Sequence, residues 1–268
     1  MFRIERQEKI LSYINEKQKV STRELSEIFQ MSAVTIRSDV NDLARRGLIV
    51  KSHGGALSLQ SLMSHEIPAV RKSQQNVESK QEIAALAAEM IRDDDVIILD
   101  AGSTTLEVAK RIHSNHVTVI TNDLKVGMAL ADNENVTLLV TGGQLIPSVY
   151  TLAGADAVHY FSRIKVNRLF LGCDAFDFTW GISNRTMEEI AIKQAMIKAA
   201  REVIAVADHS KFDRHVFVQL CDLSSIHVLI TDRIEPEKRE MLEQRGIRVV
   251  TPDAPRHAKA KERPKERS

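Results

Sequence analysis

Five strand-like apolar runs in this chain end in small, hydroxyl-bearing or charged residues, and those ends carry most of the chemistry the sequence offers. Val96–Leu99 gives way to Asp100-Ala101-Gly102-Ser103-Thr104-Thr105, which leads directly into a helical pattern. Gly102 permits a tight turn, the hydroxyls donate, and the first amides of a helix with its positive dipole end suit a phosphate. The next runs end in Thr121-Asn122, in Thr141-Gly142-Gly143, in Gly172-Cys173-Asp174 and in Asp208-His209-Ser210-Lys211. Neither a Walker A loop nor a GxGxxG is present, so nucleotide binding is not implied. The plain alternative for Gly102–Thr105 is a capped helix that binds nothing. Five such ends in succession nevertheless fit a polyhydroxylated, phosphorylated ligand.

Other constellations are weaker. Asp174 and Asp177 form a carboxylate pair that could serve as acid and base, but no Lys-led glycine-rich stretch follows; Trp180-Gly181-Ile182 stands there instead. No catalytic residue is therefore expected. The nine histidines make no His-x-x-x-His or His/Cys cluster, and Cys173 and Cys221 make no CxxC spacing. Neither a metal nor another cofactor is expected, and both thiols read as reduced core groups.

The elements that must hold these residues alternate in type. Short apolar runs at 96–99, 117–120, 136–140, 169–171, 203–206, 228–230 and 249–250 are separated by helical stretches such as 106–112 and 124–131. This pattern predicts an α/β, Rossmann-like, mostly parallel sheet covered on both faces. Ligands bind such sheets at the carboxyl ends of the strands. A capping box from Ser79 to Glu82 predicts a helix from there through Ile91, with Lys80 just inside it. Residues 60–79 are polar and aperiodic and read as a linker. The α/β region is expected over 80–253, and the Lys-, Arg- and Pro-rich stretch 254–268 reads as a disordered basic tail.

The first 59 residues follow another plan, an N-terminal, mainly helical winged helix-turn-helix. A helix over about 4–15 precedes a second one opened by the capping box Ser21-Thr22-Arg23-Glu24. Ser32 is a good N-cap for a third helix, whose Ile36, Val40 and Leu43 form one inward stripe and which Gly47 ends. Short β segments at 48–50 and 56–59 flank His53-Gly54-Gly55. The layout puts the third helix in a DNA major groove. At about 100° per residue, Val34, Ser38, Asn41 and Arg45 lie opposite the buried stripe, flanked by Arg37 and Thr35. Arg37 could read guanine and Asn41 adenine; Ser32 and Thr35 suit phosphate oxygens. Lys51 and His53 fall on the wing. The rival is a three-helix protein-interaction module.

Charge is distributed accordingly. The chain's net +1 conceals +3 over 1–58 (10 Lys and Arg against 7 Asp and Glu), +4 over 254–268 (6 against 2) and −6 between them. A basic head on an acidic body suits DNA binding by the head alone. No apolar run approaches the roughly 18–20 residues of a membrane span, and the charged first residues lack a signal-peptide core. The expected location is the cytoplasm, without a membrane.

The stretch MSAVTIRSDVNDLARRGLIVKSHGGA resembles the DNA-binding head of the DeoR family of bacterial transcription regulators. One departure stands out: Ser38 occupies the position of the second Arg in the family's Thr-Ile-Arg-Arg-Asp-Leu pattern, which implies an altered operator preference. The following region is similar to the family's sensor domain, whose fold is that of ribose-5-phosphate isomerase and the CoA-transferases. Asp100 through Thr105, Thr121-Asn122, Gly142-Gly143, Asp174, Glu189 and the Asp208–Phe212 run stand where that pattern expects them, as does Lys80. Gly181-Ile182-Ser183-Asn184 departs from it. The resemblance implies a repressor of a carbohydrate-utilisation operon, released by a phosphorylated sugar and bound to a double-stranded operator as a homodimer or homotetramer. The ligand set it implies is Lys80, Asp100, Gly102–Thr105, Thr121, Asn122, Gly142, Gly143, Asp174, Glu189 and Lys211. An isomerase fused to a DNA-binding head, or an activator built from the same parts, are the alternatives.

Overall fold

A computed structural model describes residues 3–17, 19–46, 48–52, 54–58, 69–147 and 149–252. Gly47, His53, Leu59, residues 60–68 of the expected linker and the tail 254–268 lie outside the described residues.

At the N-terminus, α1 (Arg3–Lys17), β1 (Lys19–Ser21), α2 (Thr22–Phe29), α3 (Ala33–Arg45), β2 (Ile49–Ser52) and β3 (Gly55–Ser58) follow in order. Ser21 caps α2 by accepting from the Glu24 amide at 3.1 Å. Ser32 likewise caps α3 by accepting from the Thr35 amide at 3.2 Å. Ile36, Val40 and Leu43 pack with Ile10, Ile14 and Leu25 in one apolar cluster. The wing holds a strand the pattern did not foretell: β1 joins β3 and β2 in an antiparallel sheet of order β1-β3-β2. Gly55 permits this, because a Cβ there would lie 2.1 Å from the Val20 carbonyl oxygen.

Then come α4 (Ala69–Gln74), α5 (Val77–Glu89), β4 (Val96–Leu99), α6 (Ser103–Ala109), β5 (Val117–Thr121), α7 (Leu124–Leu130), β6 (Val136–Val140), β7 (Gln144–Ile146), β8 (Thr151–Ala153), α8 (Ala155–Ser162) and β9 (Val166–Leu171). After them lie β10 (Ala175–Asp177), β11 (Gly181–Asn184), α9 (Ile190–Ala199), β12 (Ala200–Val206), β13 (Val218–Cys221), β14 (Val228–Ile230), α10 (Pro236–Gln244) and β15 (Arg248–Val250). Two expectations need correction. The linker's described part is helical, as α4 and the start of α5. Ser79 is not the cap of α5: the helix begins at Val77 after Asn76, whose φ is 49° and whose side chain makes no capping bond.

All seven strands expected for the sheet are present and mutually parallel, in the order β15-β14-β12-β9-β4-β5-β6. Alternate residues of each strand feed opposite faces. Ile97, Leu99 and Phe170 pack against α5, α6 and α7, while Ile98, Leu169 and Leu171 pack against α8, α9 and α10. Burial on both faces is why these strands read as continuous apolar runs. The chain runs from β4 outward through β5 and β6, then resumes at β9 on the other side of β4. The carboxyl ends of β4 and β9 thus flank the point where strand order reverses, the usual ligand position in such sheets. A hairpin (β7-β8) and an antiparallel sheet (β10-β11-β13) are additions that the sequence pattern did not signal.

Candidate functional site

The outward face of α3 is that expected for a recognition helix. Ser32, Val34, Arg37, Ser38, Asn41 and Arg45 are exposed, Thr35 is half-buried, and Lys51 is exposed on β2. The Thr35 and Ser32 hydroxyls pair at 2.9 Å. Arg45 is engaged by Asp42 one turn back, whereas Arg37 makes no hydrogen bond or ion pair among the described residues. One determinant escaped the sequence reading. Asp39, on the inner side of α3, is buried and accepts from Arg6 Nε at 2.6 Å and Gln7 Nε2 at 3.1 Å, both on α1. This network fixes the rotation of α3 about its axis and so aims Arg37 and Ser38 outward.

In the α/β region, β4, β9 and β12 deliver their ends to two adjoining clefts. Both are lined by Lys72, Ala101, Gly102, Ser103 and Glu189. One also takes in Lys80, Thr104, Thr105, Asp174, Asn184, Lys193 and Lys211; the other takes in Asp123, Lys125 and Thr151. Gly102 has φ 156°, a conformation that side-chain-bearing residues rarely adopt. The Thr105 hydroxyl donates to the Gly102 carbonyl at 2.9 Å, and the first helical bond runs from Leu106 N to Gly102 O. The amides of Ser103, Thr104 and Thr105 precede that bond and have no partner within the helix. The Gly102 amide is given to the Asp123 carboxylate at 3.2 Å.

Below this loop lies a buried ion pair. Asp100 accepts from Lys193 and, at 3.0 Å, from the Gly172 amide. Their side chains are 0% and 3% exposed, and Asp100 Oδ1 has no hydrogen-bond partner among the described residues. Burial would lower the Lys193 ammonium, but Asp100 and Glu189 outweigh that and hold it above its ordinary range. Asp174 meets Lys72 at 2.8 Å and accepts from the Arg185 amide at 3.1 Å. Burial would raise its carboxyl; Lys72, Arg185 and Lys193 more than offset this, so it stays below the usual range. Lys80 donates to the carbonyls of Lys72 and Gln75; burial, with Lys211 and Lys72 nearby, lowers its ammonium. Burial pushes the Cys173 thiol up to about 12, which makes it a poor nucleophile at neutral pH. No three His, Cys, Asp or Glu side chains among the described residues form a metal-binding group.

Residues 6–62 match the model of the DeoR-like helix-turn-helix domain, and residues 75–233 match that of the DeoR C-terminal sensor domain. The chain belongs to the DeoR family of transcription regulators. Among its relatives, the HTH-type transcriptional regulator GlpR of Haloferax volcanii is 34% identical over 252 residues, 93% of this chain and 98% of that one. The HTH-type transcriptional repressor GlcR of Bacillus subtilis is 30% identical over 259 residues, 93% of this chain and 96% of that one. Ribose 5-phosphate isomerase A of Methanocaldococcus jannaschii is similar at 18% identity, with a TM-score of 0.38 over 52% of this chain and 55% of that one. No helix among the described residues is long and apolar enough to cross a membrane.

Of the ligand residues that the family resemblance implied, the fold brings together Lys80, Asp100, Gly102–Thr105, Asp174, Glu189 and Lys211. Thr121, Asn122, Gly142 and Gly143, at the ends of β5 and β6, are not among the lining residues of either cleft, although Asp123, next to Asn122, lines one of them. The Thr121 hydroxyl accepts from the Asp123 amide at 3.1 Å, and the Asn122 amide group donates to the Leu152 carbonyl at 3.0 Å. Gly143 abuts the β8 backbone, where a Cβ would lie 2.5 Å from the Ala153 carbonyl oxygen. His209 turns to Asp232, 2.5 Å from its Nδ1. Sequence reasoning missed Lys72, Asp123 and Lys193. For Lys193 a signal existed: it lies one helical turn after Glu189, hence on the same face.

Proposed function

We propose that this family member is a DNA-binding transcriptional repressor of a carbohydrate-utilisation operon, released when a phosphorylated sugar occupies the cleft between the ends of β4 and β9. The observation that carries this reading is the composition of that cleft. Lys72, Lys80 and Lys211 stand around the Gly102–Thr105 turn, which suits a phosphate dianion. Asp100, Asp174 and Glu189 are acceptors for sugar hydroxyls, and buried Asp100 Oδ1 and Asn184 Oδ1 lack a donor among the described residues. The cleft belongs to a sensor of one ligand, with no cofactor and no metal. Residues 1–59 form the DNA-binding unit, 60–79 the connection and 80–253 the sensing and oligomerising unit, followed by the basic tail. On α3, Arg37 and Asn41 read bases, with Val34, Ser38 and Arg45 beside them. Ser32 and Thr35 contact phosphates, and Lys51 and His53 on the wing contact the backbone or the minor groove. A homodimer or homotetramer in the cytoplasm presents paired heads to repeated half-sites.

No turnover is expected, because the Lys-led glycine-rich stretch of the isomerases that the sensor region resembles is replaced here by Trp180-Gly181-Ile182. Calorimetric titration with hexose and pentose phosphates and their unphosphorylated parents tests the assignment. The phosphates should bind at least tenfold more tightly, and none should be converted. Equal affinities would remove the phosphate site, and any isomerised product would make the protein an enzyme.

A further inference from the structure

Two of the cations in the cleft are already engaged, and both engagements involve the chain segment entering from the connection: Lys80 is held by its carbonyls, and its own Lys72 is held by Asp174. Lys72 lies on α4, the first described element after residue 58, and it reaches across the cleft to Asp174 at 2.8 Å. Lys80, buried on α5, points its ammonium at the carbonyls of Lys72 and Gln75, the end of α4 and the turn beyond it. Ala69, Lys72 and Ser73 line the cleft alongside Gly102 and Ser103. A helix of six residues with no buried side chain has little hydrophobic reason to stay where it is. These two ammonium groups tie it to the sensing cleft.

A phosphate entering the same cleft carries close to two negative charges and several strong acceptor oxygens. Two carbonyl dipoles and one shared carboxylate hold Lys80 and Lys72 less strongly than a dianion would. We infer that α4 is the transmitting element of this regulator: an effector phosphate draws Lys80 from the α4 carbonyls and Lys72 from Asp174, so that occupancy loosens the segment joining sensor and DNA head. The inference rests on the reading that the cleft binds a phosphorylated ligand. While Lys72 and Lys80 hold α4 down, the regulator is in its DNA-binding state. Lys72 thereby acts twice, as an effector-contacting residue and as the latch.

Hydrogen–deuterium exchange on the full chain tests this, with inorganic phosphate and glucose 6-phosphate as separate probes and sodium chloride as the ionic-strength control. The native protein should show slower exchange at residues 102–106 and several-fold faster exchange at 69–76 on adding either probe. In Lys72→Met the 69–76 amides should exchange fast without any probe and change little on its addition, while slowing at 102–106 should require higher probe concentrations because one cation of the cleft is gone. Lys72→Arg, which keeps the cation, should restore the native pattern. Operator binding by Lys72→Met should be weaker than native and should respond to effector roughly 5- to 100-fold less. Slowed exchange at 102–106 with unchanged or slower exchange at 69–76 in the native protein would overturn the inference while leaving the cleft reading intact. No effect at 102–106 from either probe would instead overturn the cleft reading. The native arm decides the matter even if Lys72→Met fails to fold.

Discussion

Replacing Lys193 by Met tests how the floor of the cleft is held together. The substitution keeps an unbranched side chain of similar length and deletes only the ammonium. What remains is an Asp100 carboxylate at 0% exposure, with the Gly172 amide at 3.0 Å as its one donor among the described residues and Oδ1 bare. Removing one member of a buried pair costs about 3–5 kcal/mol, because the other charge is left in a medium that solvates it poorly. Against a stability of about 5–15 kcal/mol that is a large fraction. With a urea slope near 2 kcal/mol per M, the midpoint should fall by about 1.5–2.5 M. Trp180 is the sole tryptophan and lies between β10 and β11, so its fluorescence reports on the α/β region. Adding Asp100→Asn to Lys193→Met should recover part of the loss, giving a double mutant less costly than the sum. A Lys193→Met protein within about 0.5 kcal/mol of native, or an additive double mutant, would refute the reasoning.

Other consequences follow from the same structure. Arg37→Ala should cost about 1–3 kcal/mol on the specific operator and much less on random DNA; equal losses in a binding titration would make it a phosphate contact only. Ser38→Arg should shift the motif selected from random DNA, and an unchanged motif would remove Ser38 from specificity. Ser103→Asp sets a carboxylate against the bound phosphate, so operator binding should persist while release by effector disappears; an unaltered response would misplace the phosphate. The Cys173 thiol, moved from 9.0 to about 12 by burial, should hold about a thousandfold less thiolate at pH 8 than an ordinary cysteine. Its alkylation, followed by mass spectrometry, should be correspondingly slow until the protein is unfolded, and rapid labelling of the folded protein would contradict the raised thiol pKa.

Legibility in the sequence followed the physical origin of each feature. The seven parallel strands were evident because burial on both faces forces unbroken apolar runs, and the strand-end motifs followed at once. The helix-turn-helix was evident through its caps, Ser21 and Ser32. The α4 helix left no trace, since none of its six residues is buried and it therefore carries no apolar stripe. Ser79 misled for a related reason. Asn76 starts α5 in a left-handed conformation because its side chain donates to Asp208 and Ser210 across the site, a tertiary interaction invisible in local spacing. Lys193, Lys72 and Asp123 were hidden in the same way: Lys72 falls in the expected linker, Asp123 just before a helix and Lys193 within one, and only the fold brings them beside Asp174, Gly102 and Asp100. Conversely, Asn122 and Gly143 carry motif-like spacing whose observed partners are the backbone of β8.

The central claim is that a phosphorylated sugar in the sensor weakens the grip of the head on DNA. Its most direct test is fluorescence anisotropy of a labelled operator with the native full chain, titrated at fixed salt with and without each sugar phosphate, because salt alone changes such affinities steeply. The account predicts that at least one sugar phosphate lowers operator affinity roughly 5- to 150-fold, that its unphosphorylated parent does not, and that operator lowers the affinity for that ligand by the same factor. An operator affinity that no sugar phosphate changes, or that parent and phosphate change equally, would contradict it.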